Sequence, residues 1–186
     1  MKKKMTAAIT VILLTAGILL GTLRGRALSA TAREIDVSVD VALEKFVREV
    51  KGAREFLKAA RGVLVFPKVY KAGFIVGGEY GEGALRVKGR TVEYYSVAAG
   101  SVGFQFGAQV KTLIIIFMEQ GELDRFRRSD GWEAGVDGSI AILDVGAGGT
   151  IDTATVKSPI VAFVIGQKGL MVDVSLKGAK FTKIKR

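Results

Sequence analysis

The chain has no histidine and no cysteine among its 186 residues, and only two prolines. Without imidazole it lacks the commonest general base, the Ser-His and Cys-His dyads, and the usual nitrogen ligand for metals. Without a thiol it can form no disulfide, thiolate nucleophile or cysteine zinc site, and the lipid of a bacterial lipoprotein has nowhere to attach. Scarce proline beside 49% apolar residues argues against disorder. Glycine and base are what the chain has in plenty: 24 glycines and a formal charge of +10. Five bases (Lys2, Lys3, Lys4, Arg24 and Arg26) fall in the first 32 residues, leaving 23 against 18 acids beyond them. That balance favours an anionic partner without naming one.

Residues 62–83, GVLVFPKVYKAGFIVGGEYGEG, set the grammar for the rest. An apolar run from Val63 to Phe66 meets Pro67, then a basic turn with Lys68 and Lys71, then a second apolar run broken by glycines. Short apolar runs bounded by turn residues predict buried strands. Glycines at 73, 77, 78, 81 and 83 predict a bulge, a tight bend, or a second backbone coming close.

Residues 1–32 have the form of a targeting segment. Lys2, Lys3 and Lys4 precede an apolar stretch at 5–23, and Ala30-Thr31-Ala32 offers a small-x-small cleavage site, so the mature chain would begin at Arg33. The rival reading is an uncleaved membrane anchor, because the apolar stretch approaches the roughly 20 residues needed to span. Either reading predicts an exported domain over 33–186, periplasmic or membrane-associated.

Residues 35–60 are predicted helical. Ile35, Val39, Leu43, Phe46, Val47 and Val50 make one apolar stripe, Gly52 ends the helix, and a second short helix turns Phe56, Leu57 and Ala60 inward. Lys45, Arg48, Lys51, Arg54, Lys58 and Arg61 recur every three or four residues. They suit a lipid-headgroup face, or a plain solvated face laced to Glu44, Glu49 and Glu55.

Hairpins follow. Residues 84–88 alternate, and Gly89-Arg90 is read as the two-residue turn into 91–97. Residues 101–110 alternate as one half-buried strand, and 113–117 are apolar on both faces, as a covered central strand is. A helix is predicted at 122–128, with Leu123 and Phe126 inward and Trp132 anchoring the chain after it. Strands at 140–145, 150–156, 160–165, 170–176 and 179–184 complete a fold of class α+β. Its N-terminal helices pack on a glycine-rich, mainly antiparallel sheet curved into a barrel or sandwich.

No glycine cluster matches a phosphate loop, and 146–149 reads as a hairpin connection. Asp137, Asp144, Asp152, Glu79 and Glu82 are the acids that a carboxylate-pair enzyme or an oxygen-ligated calcium site would need, but each sits where acids commonly end strands. No catalytic residue, metal ligand or cofactor is therefore assigned. Lys68 and Lys71 flank Tyr70 and could hold an anionic headgroup while the ring sits at the interface; edge-strand lysines that discourage aggregation are the plainer reading. The lipid-binding candidates are Arg54, Lys58, Arg61, Lys68, Tyr70 and Lys71. No RNA-binding signature is present, and no nucleic-acid partner is expected.

The blocks GVLVFPKVYKAGFIVGGEYGEGALRV, TVEYYSVAAGSVGFQFGAQ, SDGWEAGVDGS, DVGAGGTIDT and GLMVDVSLKGAKFTKI resemble the SYLF-domain lipid-binding family in its bacterial exported branch, over residues 34–184. The resemblance implies a non-enzymatic domain that binds phospholipids, phosphoinositides in eukaryotic members. Some eukaryotic members also bind actin through additional segments; no SH3 or FYVE module is recognisable here, so those roles are not expected. Two function classes follow: a module for anionic phospholipids or a membrane surface, and a structural or interaction protein of the envelope whose protein partner the sequence does not name.

Overall fold

The computed structural model describes residues 30–73, 76–102, 109–143, 157–166, 169–170 and 175–186. The apolar leader, the predicted strand at 150–156, the glycine connection at 146–149, Asp144 and Asp152 lie outside the described residues.

Helix α1 (Ala32–Glu49) opens on a capping box. Thr31 Oγ1 accepts from the Glu34 N–H at 3.3 Å, and Glu34 Oε2 accepts from the Thr31 N–H at 2.7 Å. These bonds hold the Glu34 carboxyl below its usual range, the backbone N–H of Thr31 acting most strongly. Ile35, Val39, Ala42 and Phe46 are its buried stripe. Gly52 reverses the chain at φ 88°, where a side chain would be strained, and α2 (Ala53–Ala59) follows with Ala53 and Phe56 buried. Leu57 and Ala60, expected inward, are only half-buried.

Among the described residues, nine strands form one sheet in the order β5-β9-β3-β2-β1-β4-β7-β6, with β8 paired to β7. They are β1 (Gly62–Gly73), β2 (Val76–Val87), β3 (Arg90–Val102), β4 (Gln109–Phe117), β5 (Trp132–Glu133), β6 (Ala141–Ile142), β7 (Ile160–Gly166), β8 (Gly169–Leu170) and β9 (Lys180–Ile184). All neighbours are antiparallel except β6 and β7, and the sheet curls into a half-barrel. Helix α3 (Gln120–Arg128) interrupts it after β4.

Pro67 does not end a strand at a turn, as the sequence suggested. β1 runs straight through it as a bulge, with its register shifting between Val65 and Lys68 against β2 and between Phe66 and Val69 against β4. Proline has no N–H for a ladder, so in a strand paired on both sides it needs such a break. The bulge presses the β1 backbone against β2. A Cβ on Gly83 would sit 2.1 Å from the Val65 carbonyl oxygen, and one on Gly81 2.7 Å from that of Lys68. The expected close approach is the reason for these two glycines.

Three further boundaries differ from expectation. The β2–β3 turn is Lys88-Gly89, with φ 52° and 77°, so both central residues take the left-handed region of a type I′ turn. Of the alternating segment 101–110, Ser101 and Val102 belong to β3 and Gln109 and Val110 to β4, while 103–108 lie outside the described residues. Of 140–145, only Ala141 and Ile142 pair, and of 170–176 only Leu170 does among the described residues.

The sheet has a core on each face. On the concave side Leu64, Phe66, Leu85, Tyr95, Leu113, Ile115 and Phe117 meet Leu123 and Phe126 of α3, then Trp132 and Phe181. On the convex side the cross-strand set Val65, Ala84, Ile114 and Phe163 lies under the helices, where the Phe163 ring stands 4.7 Å from that of Phe46 and 5.4 Å from that of Phe56. Leu113–Phe117 of β4 is buried throughout, as its two-sided apolar pattern demands.

Candidate functional site

Helix α1 is fixed to the sheet by polar contacts at one end. Arg86 of β2 donates to Asp40 Oδ1 at 2.9 Å, Thr91 to Asp36 Oδ1 at 2.7 Å, and the Tyr94 hydroxyl to Asp36 Oδ2 at 3.0 Å. Burial and then the Asp36 carboxylate raise the Tyr94 phenol above its usual value. Because α1 is held there and through Phe46, the space between α1 and α2 is set by the fold.

That space is an open groove of about 520 Å³, lined by Leu43, Glu44, Val47, Arg48, Arg54 and Leu57. Leu43, Val47 and Leu57 are the part of the apolar stripe that the sheet leaves half-exposed. They form an apolar floor, and Arg48 and Arg54 stand on its rim against the single acid Glu44. Such a groove accepts an apolar chain with an anionic end. The sequence pattern contained the signal, since the stripe is wider than one helix needs to pack on a sheet.

Of the predicted residues, Arg54 lines the groove, and Lys58, one turn along α2, is exposed. Arg61 is exposed just before β1, where its N–H donates to the Phe117 carbonyl at 2.8 Å. Lys68 and Tyr70 share the convex face of β1 beyond the bulge, both exposed. Lys71 does not join them. It faces the concave side, 3.7 Å from Glu79, and Glu79 also meets Lys111 at 2.6 Å. Lys111 is only 8% exposed, so this trio is a half-buried ion cluster across β1, β2 and β4.

Two further acids singled out from the sequence, Glu82 and Asp137, have partners too. Glu82 accepts from the Tyr80 hydroxyl at 2.9 Å and from Arg186, and Asp137 accepts from the Glu133 N–H at 2.6 Å. Glu93 ties three elements: Arg127 of α3 donates to both its oxygens at 3.1 Å, Lys183 of β9 at 3.0 Å, and the Tyr95 hydroxyl at 2.8 Å. Burial works against its charge, but these donors prevail and hold its carboxyl below the usual range. Burial, then the adjacent carboxylate, drives the Tyr95 phenol far up. No group of three or more acids poised for a metal occurs among the described residues, nor any helix long and apolar enough to cross a membrane.

No curated protein matches the chain. Residues 98–186 match the family described as Ysc84, Las17-binding protein actin regulator. The match takes in the end of β3, β4, α3 and every later strand, and it leaves the groove outside. Over those residues, a little under half of the chain, the sequence is similar to this family, the Ysc84 or SYLF domain that its sequence blocks resemble.

Proposed function

We propose that the protein is a non-enzymatic phospholipid-binding module that acts at an anionic membrane surface of the bacterial cell envelope. The observation that carries this reading is the groove: an apolar floor of Leu43, Val47 and Leu57 with Arg48 and Arg54 on its rim, and Lys58 close by on α2. The similarity of residues 98–186 to this family supports lipid binding or interaction in general. The absence of histidine and cysteine, and the engagement of Glu79, Glu82, Glu93 and Asp137 in ion pairs and hydrogen bonds, support a docking role over a catalytic one. The basic start and apolar stretch of the leader support export.

Each engaged base contributes about 1 kcal/mol near an anionic surface, so Arg48→Ala with Arg54→Ala should weaken vesicle binding roughly tenfold to thirtyfold. The test is flotation of residues 31–186 with phosphatidylglycerol or cardiolipin vesicles, using Arg125→Ala on the exposed side of α3 as control. Wild-type protein that stays unbound at low salt sinks the proposal.

A protein-binding role is the second reading, favoured by the matched family's description as a Las17-binding actin regulator. It predicts indifference to vesicles together with retention of one specific protein by the same groove.

A further inference from the structure

The two helices cover the convex face of the sheet at the level of Val65, Ile114 and Phe163. Past the bulge, Tyr70 lies four rows beyond Val65 in the β2 register, about 13 Å further along the sheet. There the face changes character. Tyr70 and Tyr80 are direct cross-strand partners and are 53% and 51% exposed. The same register continues to exposed Ala98 on β3, exposed Lys180 on β9 and half-buried Glu133 on β5, so the row across these strands reads Tyr, Tyr, Ala, Lys, Glu. Gly78 and Gly100, also exposed, pair in the next row outward and leave the two rings proud of the surface. Lys68 stands one row inward, exposed, and neither it nor Lys180 has a described ion pair.

An uncovered antiparallel face is normally polar, and this one carries two tyrosines and small residues between two exposed lysines, which stand across the register from Glu82 and Glu133 but make no ion pair among the described residues. Tyrosine with its ring in an apolar layer and its hydroxyl in water, flanked by lysines whose stems can bend towards phosphates, is the composition of a membrane interface. Tyr80 is also held in place, since its hydroxyl donates to Glu82, which Arg186 anchors. Tyr70 has no described hydrogen-bond partner. Residues 74–75 and 103–108 lie outside the described residues, and the surface is defined without them.

We infer that the sheet end bearing Tyr70, Tyr80, Lys68 and Lys180 is a second membrane contact, which meets an anionic bilayer end-on with the tyrosine pair at the headgroup layer. The inference rests on the lipid-binding reading but uses none of the groove residues. An end-on approach keeps α1 and α2 clear of the bilayer plane at this site, whereas a face-on approach would bring the helices down first. The two contacts therefore engage in turn or with different leaflets or vesicles.

The test places a fluorescent ring at each end of the strands of the full chain, bound to vesicles of phosphatidylcholine and phosphatidylglycerol brominated near the headgroup end of the acyl chains. Trp132 is buried and supplies a constant background. The emission that Tyr70→Trp adds should fall by about half, as suits an interfacial ring. The emission that Val92→Trp adds, at an exposed site by the opposite end of β3, should not change. In residues 31–186, Tyr70→Ser with Tyr80→Ser should cost roughly tenfold in vesicle affinity. Unchanged near-ultraviolet dichroism of Trp132 would verify the fold. If residues 31–186 float but Tyr70→Trp is unquenched, this inference is wrong and the groove reading stands. If they do not float and no quenching is seen, both are wrong. Quenching of Val92→Trp alone would put the other end of the sheet at the bilayer and overturn the inference.

Discussion

Two halves of one sheet behave as different materials. Near Val65, Ile114 and Phe163 both faces are covered, by the helices on the convex side and by Phe126, Trp132 and Phe181 on the concave side. Past the Pro67 bulge, the same strands carry exposed tyrosines and lysines on one face and a three-membered ion cluster on the other. A strand that is hydrophobic on both sides for five residues and then alternates with charge cannot be serving one purpose along its length. The covered half supplies stability, and among the described residues nothing covers the other half of that face or the helix groove.

Substitutions should break this contrast in order of depth. Phe163→Ala removes the ring on which Phe46 and Phe56 both pack, and it should cost about 3–5 kcal/mol, lowering Tm by about 10 °C or more. Tyr70→Ser, only a few residues away in register, should stay within about 0.5 kcal/mol of wild type in denaturant melts. Equal effects from the two would erase the distinction.

The ion cluster comes next. Glu79→Ala strands Lys111, which is 8% exposed, and should cost about 3 kcal/mol. Adding Lys111→Met should restore most of that loss, because a well-packed apolar side chain needs no counter-charge. If the double variant is no better than the single, Lys111 has another partner.

A smaller effect attends the start of the domain. The expected cleavage site coincides with the first turn of α1, so a chain beginning at Arg33 lacks the Thr31 cap. It should melt about 1 kcal/mol sooner than one beginning at Thr31. Identical melting of the two would show that the capping box does nothing.

The least effect, visible as pH dependence, belongs to Glu93. Its folded carboxyl titrates below the ordinary value of 4.5, so its stabilisation is full above that value and is lost as pH falls through the lower folded one. Glu93→Gln should flatten the acid limb of the stability curve by less than about 1 kcal/mol, since the site is partly open to solvent. An acid limb identical to wild type would assign acid unfolding to other groups.

How much of this was legible beforehand follows from which signals are local. The Ile35–Phe46 stripe, the two-sided apolar run of β4, the α3 pair Leu123 and Phe126, and the Trp132 anchor are all periodic or compositional, and the structure has them where the pattern put them. The proline was misleading because whether it ends a strand or makes a bulge depends on strands far away in sequence. The Lys88-Gly89 turn was missed by one residue because a lysine at positive φ is unusual. At the candidate site, helical spacing singles out Arg54 but not the groove it lines, since nothing local tells which part of an apolar stripe the sheet leaves open. Lys71 and Tyr70 are neighbours in sequence and so were grouped together. Strand alternation puts them on opposite faces. Tyr80, the partner of Tyr70, appears only once the β1–β2 register is known.

The most direct test of the docking account is the affinity of residues 31–186 for phosphatidylglycerol vesicles as salt is raised. Binding carried by unpaired bases on an apolar surface should be tight at low salt, weaken steeply as the Debye length shrinks from about 10 Å at 0.1 M, and vanish on pure phosphatidylcholine. Affinity that ignores both salt and headgroup charge would contradict the account.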